Sequence, residues 1–148
     1  MRALGLALVL GLAVSGPLQA GNSRYGYNWD EIGTEFCRLT LANDMAGLAP
    51  LLTGSLRQLI EAASANPELP PARTLFQTYV NEVSGCSADT RNAALVEIAR
   101  SNGGRAPAWT DILVISPEAD GTSRIDDVLF ATRKSDTLRA RLQVYAGR

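Results

Sequence analysis

Cys37 and Cys86 are the only cysteines in this 148-residue chain, and their positions constrain its fold more than any other feature. Cys37 falls in a stretch with helical spacing of apolar residues. Cys86 opens the half of the chain that alternates like β-strands. In an oxidising compartment an even cysteine count implies a bridge, so the expectation is a single Cys37–Cys86 disulfide tying a helical half to a strand half. Closing a loop of about 50 residues stabilises a fold by roughly 4 kcal/mol in the chain-entropy model. Such a bridge is a structural staple, and it leaves no thiol to act as a nucleophile.

The compartment is read from the opening residues, "MRALGLALVLGLAVSGPLQA". Arg2 supplies a short positive region, Ala3 to Val14 an apolar run, and Leu18, Gln19 and Ala20 a small-residue cleavage pattern, which together predict a secretory signal peptide over residues 1–20. The apolar run is shorter than the roughly 20 residues that a stable span needs, so stable membrane insertion is not expected. Removing residues 1–20 leaves 128 of the 148 residues, with 13 basic against 15 acidic side chains. That length suits one domain with one core. The slight acidic excess argues against sequence-independent nucleic-acid binding, which uses a basic surplus. The expected location is periplasmic or secreted.

Residues 21–28, "GNSRYGYN", carry no periodicity and read as a flexible leader to a single domain over 29–148. Ile32, Phe36 and Leu39 recur at helical spacing between Trp29 and Leu41, with Asp30 and Glu31 where a helix N-terminus favours negative charge. Asn43 or Asp44 caps a second helical stretch, "MAGLAPLL". Thr53 or Ser55 then caps a third, with Leu56, Leu59, Ile60 and Ala63 on one side. "NPELPP", residues 66–71, ends this helical half because proline cannot continue a helix. Residues 72–84 fit either a helix or a strand. "AALVEIARS" and "WTDILVIS" then read as strands joined through "NGGRAP", and "PEADG" is a turn leading into the strand "TSRIDDVLFA". Ser135 or Asp136 caps a short closing helix over "TLRARLQVYA". The order predicts an α+β fold, with N-terminal helices packed on one face of an antiparallel sheet.

"WTDILVI" (109–115), "RIDDVLF" (124–130) and "TLRARL" (137–142) resemble the end of a group of secreted bacterial domains of unknown function. Those domains are similar to the nuclear transport factor 2-like, or ketosteroid-isomerase-like, cone. Ser123 stands where that group commonly has a tryptophan. The resemblance implies helices wrapped by a curved antiparallel sheet, often with a conical pocket, and an outer sheet face available for dimerisation. It implies no catalytic residue, because this fold hosts enzymes, binding modules and scaffolds alike.

The chain has no histidine, which removes the Ser/His/Asp arrangement, imidazole acid/base work and most zinc sites. Lys134 lies beside Arg133 in a polar turn, without the surroundings of an activated lysine. No phosphate-binding glycine loop or calcium loop is present, so neither cofactor nor metal is expected. Carboxylates remain. Alternation along a strand sends Asp126 and Asp127 to opposite faces, with Asp127 beside Ile125 and Leu129. If the turn pairs Ser116 with Thr122, Asp111 falls opposite Asp127, and two crowded carboxylates raise at least one pKa. Asp111 and Asp127 are therefore the catalytic candidates. The competing expectation is that Asp127 accepts bonds at the sheet end and Asp126 pairs with an arginine.

Tyr79, Trp109 and Phe130, with Phe76, are candidates to line a ligand pocket, against the plainer expectation that they are core. Residues 111–127 hold five acids against Arg124, and 131–148 five bases against Asp136. This asymmetry is either internally compensated or a contact surface for an acidic partner. The expected function is an exported small binding or protein-interaction module, for a protein or small-molecule ligand, of the inhibitor or immunity type. The alternative is a cofactor-free isomerase or dehydratase with a carboxylate base.

Overall fold

The computed structural model describes residues 29–78, 83–92, 94–103 and 108–147. The expected signal peptide, the leader 21–28 and Tyr79 lie outside the described residues. The described chain is α+β, with a four-stranded antiparallel sheet and helices.

The helical half follows its apolar spacing. Helix α1 (Trp29–Leu41) buries Ile32, Phe36, Cys37 and Leu39. It ends where Asn43 takes a positive φ of 56° and the Asp44 amide returns to the Leu39 carbonyl at 2.9 Å. Asp44 caps α2 (Met45–Leu48), its carboxylate accepting from the Gly47 amide at 2.8 Å, and a 3-10 turn over Ala49–Leu51 follows. Thr53 caps α3 (Gly54–Ala63), whose Leu56, Leu59, Ile60 and Ala63 are buried as their spacing predicts. After the proline-rich break comes α4 (Ala72–Leu75), so the ambiguous stretch begins as one helical turn.

The sheet runs β1 (Gly85–Asn92), β2 (Leu95–Ser101), β3 (Trp109–Pro117) and β4 (Ser123–Leu129), paired in chain order. Val96, Ile98, Leu113, Ile115, Ile125, Val128 and Phe130 are buried together with the apolar faces of α1, α3 and α5 (Leu138–Tyr145). That inner face and the helices form the core. Gly33 sets how closely they meet. A Cβ there would stand 2.5 Å from Ala88 Cβ and 2.9 Å from Val96 Cγ1, so only glycine lets α1 lie this close to β1 and β2. One turn later Cys37 is bridged to Cys86 of β1, with Cα atoms 5.4 Å apart.

The edge at β4 is partly covered. Leu52 forms a parallel bridge with Ile125, and Thr137 an antiparallel one with Leu129. Thr137, rather than Ser135 or Asp136, caps α5 by accepting from the Ala140 amide. The Asp136 backbone carbonyl instead accepts from the Phe130 amide at 3.0 Å, which brings the chain back alongside β4 before the helix starts.

The β3–β4 register differs from the expected one. Ser116 pairs with Arg124, not Thr122, and between Ile115↔Ile125 and Val114↔Asp127 the second strand carries an extra residue, Asp126. This bulge resets the alternation, so Ile125 and Val128 are both buried although they are three residues apart. Asp127 consequently leaves the Ile125 side. It stands opposite Val114, three positions along β3 from Asp111 and on the other face. The expected Asp111–Asp127 pair does not form.

Candidate functional site

Among the described residues, chemistry-bearing side chains gather at three places: the β4 bulge, one end of the inner sheet face, and the outer sheet face. At the bulge, Asp126 Oδ1 accepts from the Thr53 hydroxyl at 2.9 Å and from Arg139 Nη2 at 2.5 Å. Arg139 also donates through Nε to the Asp126 carbonyl at 2.8 Å and through Nη2 to the Ser55 hydroxyl at 2.8 Å. Asp127 Oδ1 accepts from the Arg139 amide at 3.0 Å and from the Val128 amide at 2.8 Å. Glu118, from the turn, accepts from the Gly54 amide at 2.9 Å. Glu118 and Asp127 therefore satisfy open N–H groups at the starts of α3 and α5, where the helix dipoles also favour negative charge, and Asp126 ties the Thr53 cap of α3 to the Arg139 side chain of α5. The adjacency of Asp126 and Asp127 is thus a joint between β4 and two helices.

At the other place, Asp111 is fully buried. Its Oδ1 accepts from the Thr78 hydroxyl, its Oδ2 from the Thr78 amide at 3.2 Å, and Arg100 Nε stands 3.6 Å from Oδ2. Burial pushes the Asp111 carboxyl up from its ordinary value, with the Thr78 hydroxyl and the Arg100 charge opposing it. Burial likewise lowers the Arg100 pKa, opposed by Asp111. Arg100 is only 2% exposed, and its Nη2 donates to the Phe76 carbonyl at 2.9 Å. The Thr78 hydroxyl also accepts from the Ala131 amide at 2.7 Å. Arg141 completes this end, donating to the Gln77 and Thr78 carbonyls at 2.7 and 2.9 Å while its guanidinium lies 3.6 Å from the Phe130 ring centre. The perturbed carboxyl is thus sealed and fully engaged, and nothing brings Asp127 to it.

The aromatic candidates divide in the same way. Phe130 is a core residue under Arg141, and Phe76 is fully buried, edge-on to Phe36 with centres 5.9 Å apart. Trp109 is partly exposed, next to Arg100 across β2 and β3. The charge asymmetry resolves mostly into internal pairs: Arg124 with Asp120 at 3.0 Å, Arg139 with Asp126, and Arg141 with Asp136 at 2.9 Å. Exposed Arg133 and Lys134 form no salt bridge among the described residues.

The outer sheet face holds what sequence reasoning missed as a group. Leu95 stands opposite Val114, and Ile112 opposite Leu129, making a contiguous apolar quartet that is partly exposed. Glu97, opposite Ile112, borders it and pairs with Arg91 at 2.8 Å; Asp127, opposite Val114, borders the other side. Among the described residues, no group of side chains is arranged to hold a metal ion, and no helix is long and apolar enough to cross a membrane. Comparison with protein-family models, curated proteins and solved structures finds no match for this chain.

Proposed function

We propose that this chain is an exported protein-interaction module of the inhibitor or immunity type, with a ketosteroid-isomerase-like cone as its frame, and that its contact surface is the outer face of the sheet. The observation that carries the reading is the quartet Leu95, Ile112, Val114 and Leu129. Its members are neighbours by register, and they stay partly exposed while the described helices bury their apolar sides on the inner face. A contiguous apolar patch with a polar rim is the usual mark of a protein contact. Arg91, Glu97 and Asp127 supply that rim. The bridged cysteines accord with an oxidising, periplasmic setting.

The carboxylates support the same side of the choice between binding and catalysis. Asp111 is enclosed with both oxygens engaged, and Asp126 and Asp127 hold helix starts. A general base needs reach to its substrate before its pKa matters.

The test places a photo-crosslinking amino acid at Ile112 and, as a control, at exposed Glu61 of α3, in cells that export the protein. Discrete adducts from position 112 alone are expected. Equal adducts from both positions, or none from 112, contradict the reading.

A further inference from the structure

The disulfide has a neighbour that a plain staple does not require. Arg100 Nη1 lies 3.1 Å from Cys86 Sγ and 3.5 Å from the Thr40 hydroxyl, and the guanidinium stands 5.4 Å from the Phe36 ring centre. A disulfide sulfur is a weak, neutral acceptor, so a buried cation gains little from that contact. A thiolate at the same position would be a full charge partner. The two cysteines also differ in burial: Cys37 is buried and Cys86 only partly so.

We propose that the Cys37–Cys86 bridge is a thiol–disulfide exchange site, a latch between α1 and β1 that an external dithiol opens and whose reduced form Arg100 holds by pairing with the Cys86 thiolate. A thiolate of the dithiol attacks one sulfur of the bridge, forming a mixed disulfide and expelling the other cysteine. The second thiolate of the dithiol then closes its own disulfide and releases the remaining cysteine. Two electrons pass to the protein. Of the two protons lost by the dithiol, one ends on Cys37 and one goes to solvent, because Cys86 stays ionised beside Arg100.

The groups set around Cys86 Sγ and its arginine come from three elements and the residue that follows a fourth. β2 contributes Arg100, and β3 contributes Asp111 behind it at 3.6 Å. α1 contributes Cys37, the Thr40 hydroxyl and the Phe36 ring, and the residue after α4 contributes the Phe76 carbonyl. Asp111 competes with the thiolate for Arg100, but at 3.6 Å from Nε it leaves the Nη1 side to sulfur. Opening the latch frees the α1–β1 seam from its one covalent tie and leaves it on the Gly33 packing.

The test is the equilibrium between the bridged protein and dithiothreitol, quenched in acid, alkylated and counted by mass, at several pH values between about 6.5 and 8, below the dithiol's own ionisation. One released proton makes the reduction constant rise about tenfold per pH unit. A constant independent of pH over that range overturns the proposal, because two ordinary thiols keep their protons there. In the reduced wild-type protein, Cys86 should be alkylated as a thiolate at the lower end of this range while Cys37 is not. The reverse assignment also overturns it. Arg100→Met combined with Asp111→Leu, which removes both buried charges together, should flatten the pH slope; a slope equal to wild type counts against the role of Arg100.

Discussion

At the residue scale, "SRIDDVLF" shows how a bulge changes the meaning of a sequence. Ideal alternation separates Asp126 from Asp127 and carries Asp127 to the Ile125 face. One extra residue instead puts both acids at the starts of α3 and α5. Replacing Asp126 with Ala removes the carboxylate's bonds to the Thr53 hydroxyl and Arg139 Nη2 and leaves the Arg139 Nε bond to the backbone carbonyl. It should cost about 1–2 kcal/mol in urea denaturation, a value tempered by the partial exposure of the Arg139 pair. Arg100 and Asp111 behave differently because both are buried. Arg100→Met alone should destabilise by about 3–5 kcal/mol, since it strands a carboxylate, and adding Asp111→Leu should recover much of that loss. Denaturation of the two single variants and the double one measures the coupling.

The same scale sets the response to pH, and the two aspartates act with opposite sign. Arg141 hydrogen bonds hold the Asp136 carboxyl below the usual range, against a smaller opposing effect of burial and with help from the Thr132 hydroxyl. A lowered folded pKa gives stability that is present above the unfolded value and lost as pH falls through the folded one. Asp136→Asn should therefore lose less stability than wild type on acidification from about pH 5 to 2. Asp111, raised by burial, disfavours the folded state increasingly as pH climbs from its ordinary value through the raised one. The Arg100→Met/Asp111→Leu protein should lack that part of the profile. Arg100 itself carried no sequence signal, because an arginine alternating with Val96 and Ile98 reads as a strand end in water.

At the element scale, the legible parts were those whose burial forces a period. α1 and α3 show their apolar residues at helical spacing, and β2 and β3 alternate, so each could be read directly. β1 could not. "GCSADTRN" is an edge strand with Ser87 and Asp89 exposed and no large apolar side chain, so only its pairing with β2 makes it a strand. The capping of α5 by Thr137 was hidden for a similar reason, since three consecutive polar residues could each serve and the bridge to Leu129 decides. The α1–β1 contact yields two tests. Gly33→Ala should cost about 1–3 kcal/mol by overpacking against Ala88 and Val96, with partial rescue by Ala88→Gly. Replacing Cys37 and Cys86 with Ser should cost roughly 4 kcal/mol, read as a fall in the urea midpoint.

At the scale of the whole molecule, the sheet has one face committed to the core and one that still carries Leu95, Ile112, Val114 and Leu129 toward its surface. The sequence contained all four residues but not their proximity, which depends on the β3–β4 register and therefore on the bulge. A module that works through this face largely separates binding from folding: its apolar contact residues are not those that hold the helices, and only Asp127 of the rim also bonds a helix start. Val114→Lys is the most direct probe, because Val114 lies at the centre of the quartet between Leu95 and Asp127. The decisive measurement is the yield of the Ile112 crosslink in the Val114→Lys protein, taken together with its thermal melting curve. A contact through the outer face predicts loss of the adduct with a stability change within about 1 kcal/mol, as for a surface substitution. An adduct that persists undiminished in a folded Val114→Lys protein would contradict it.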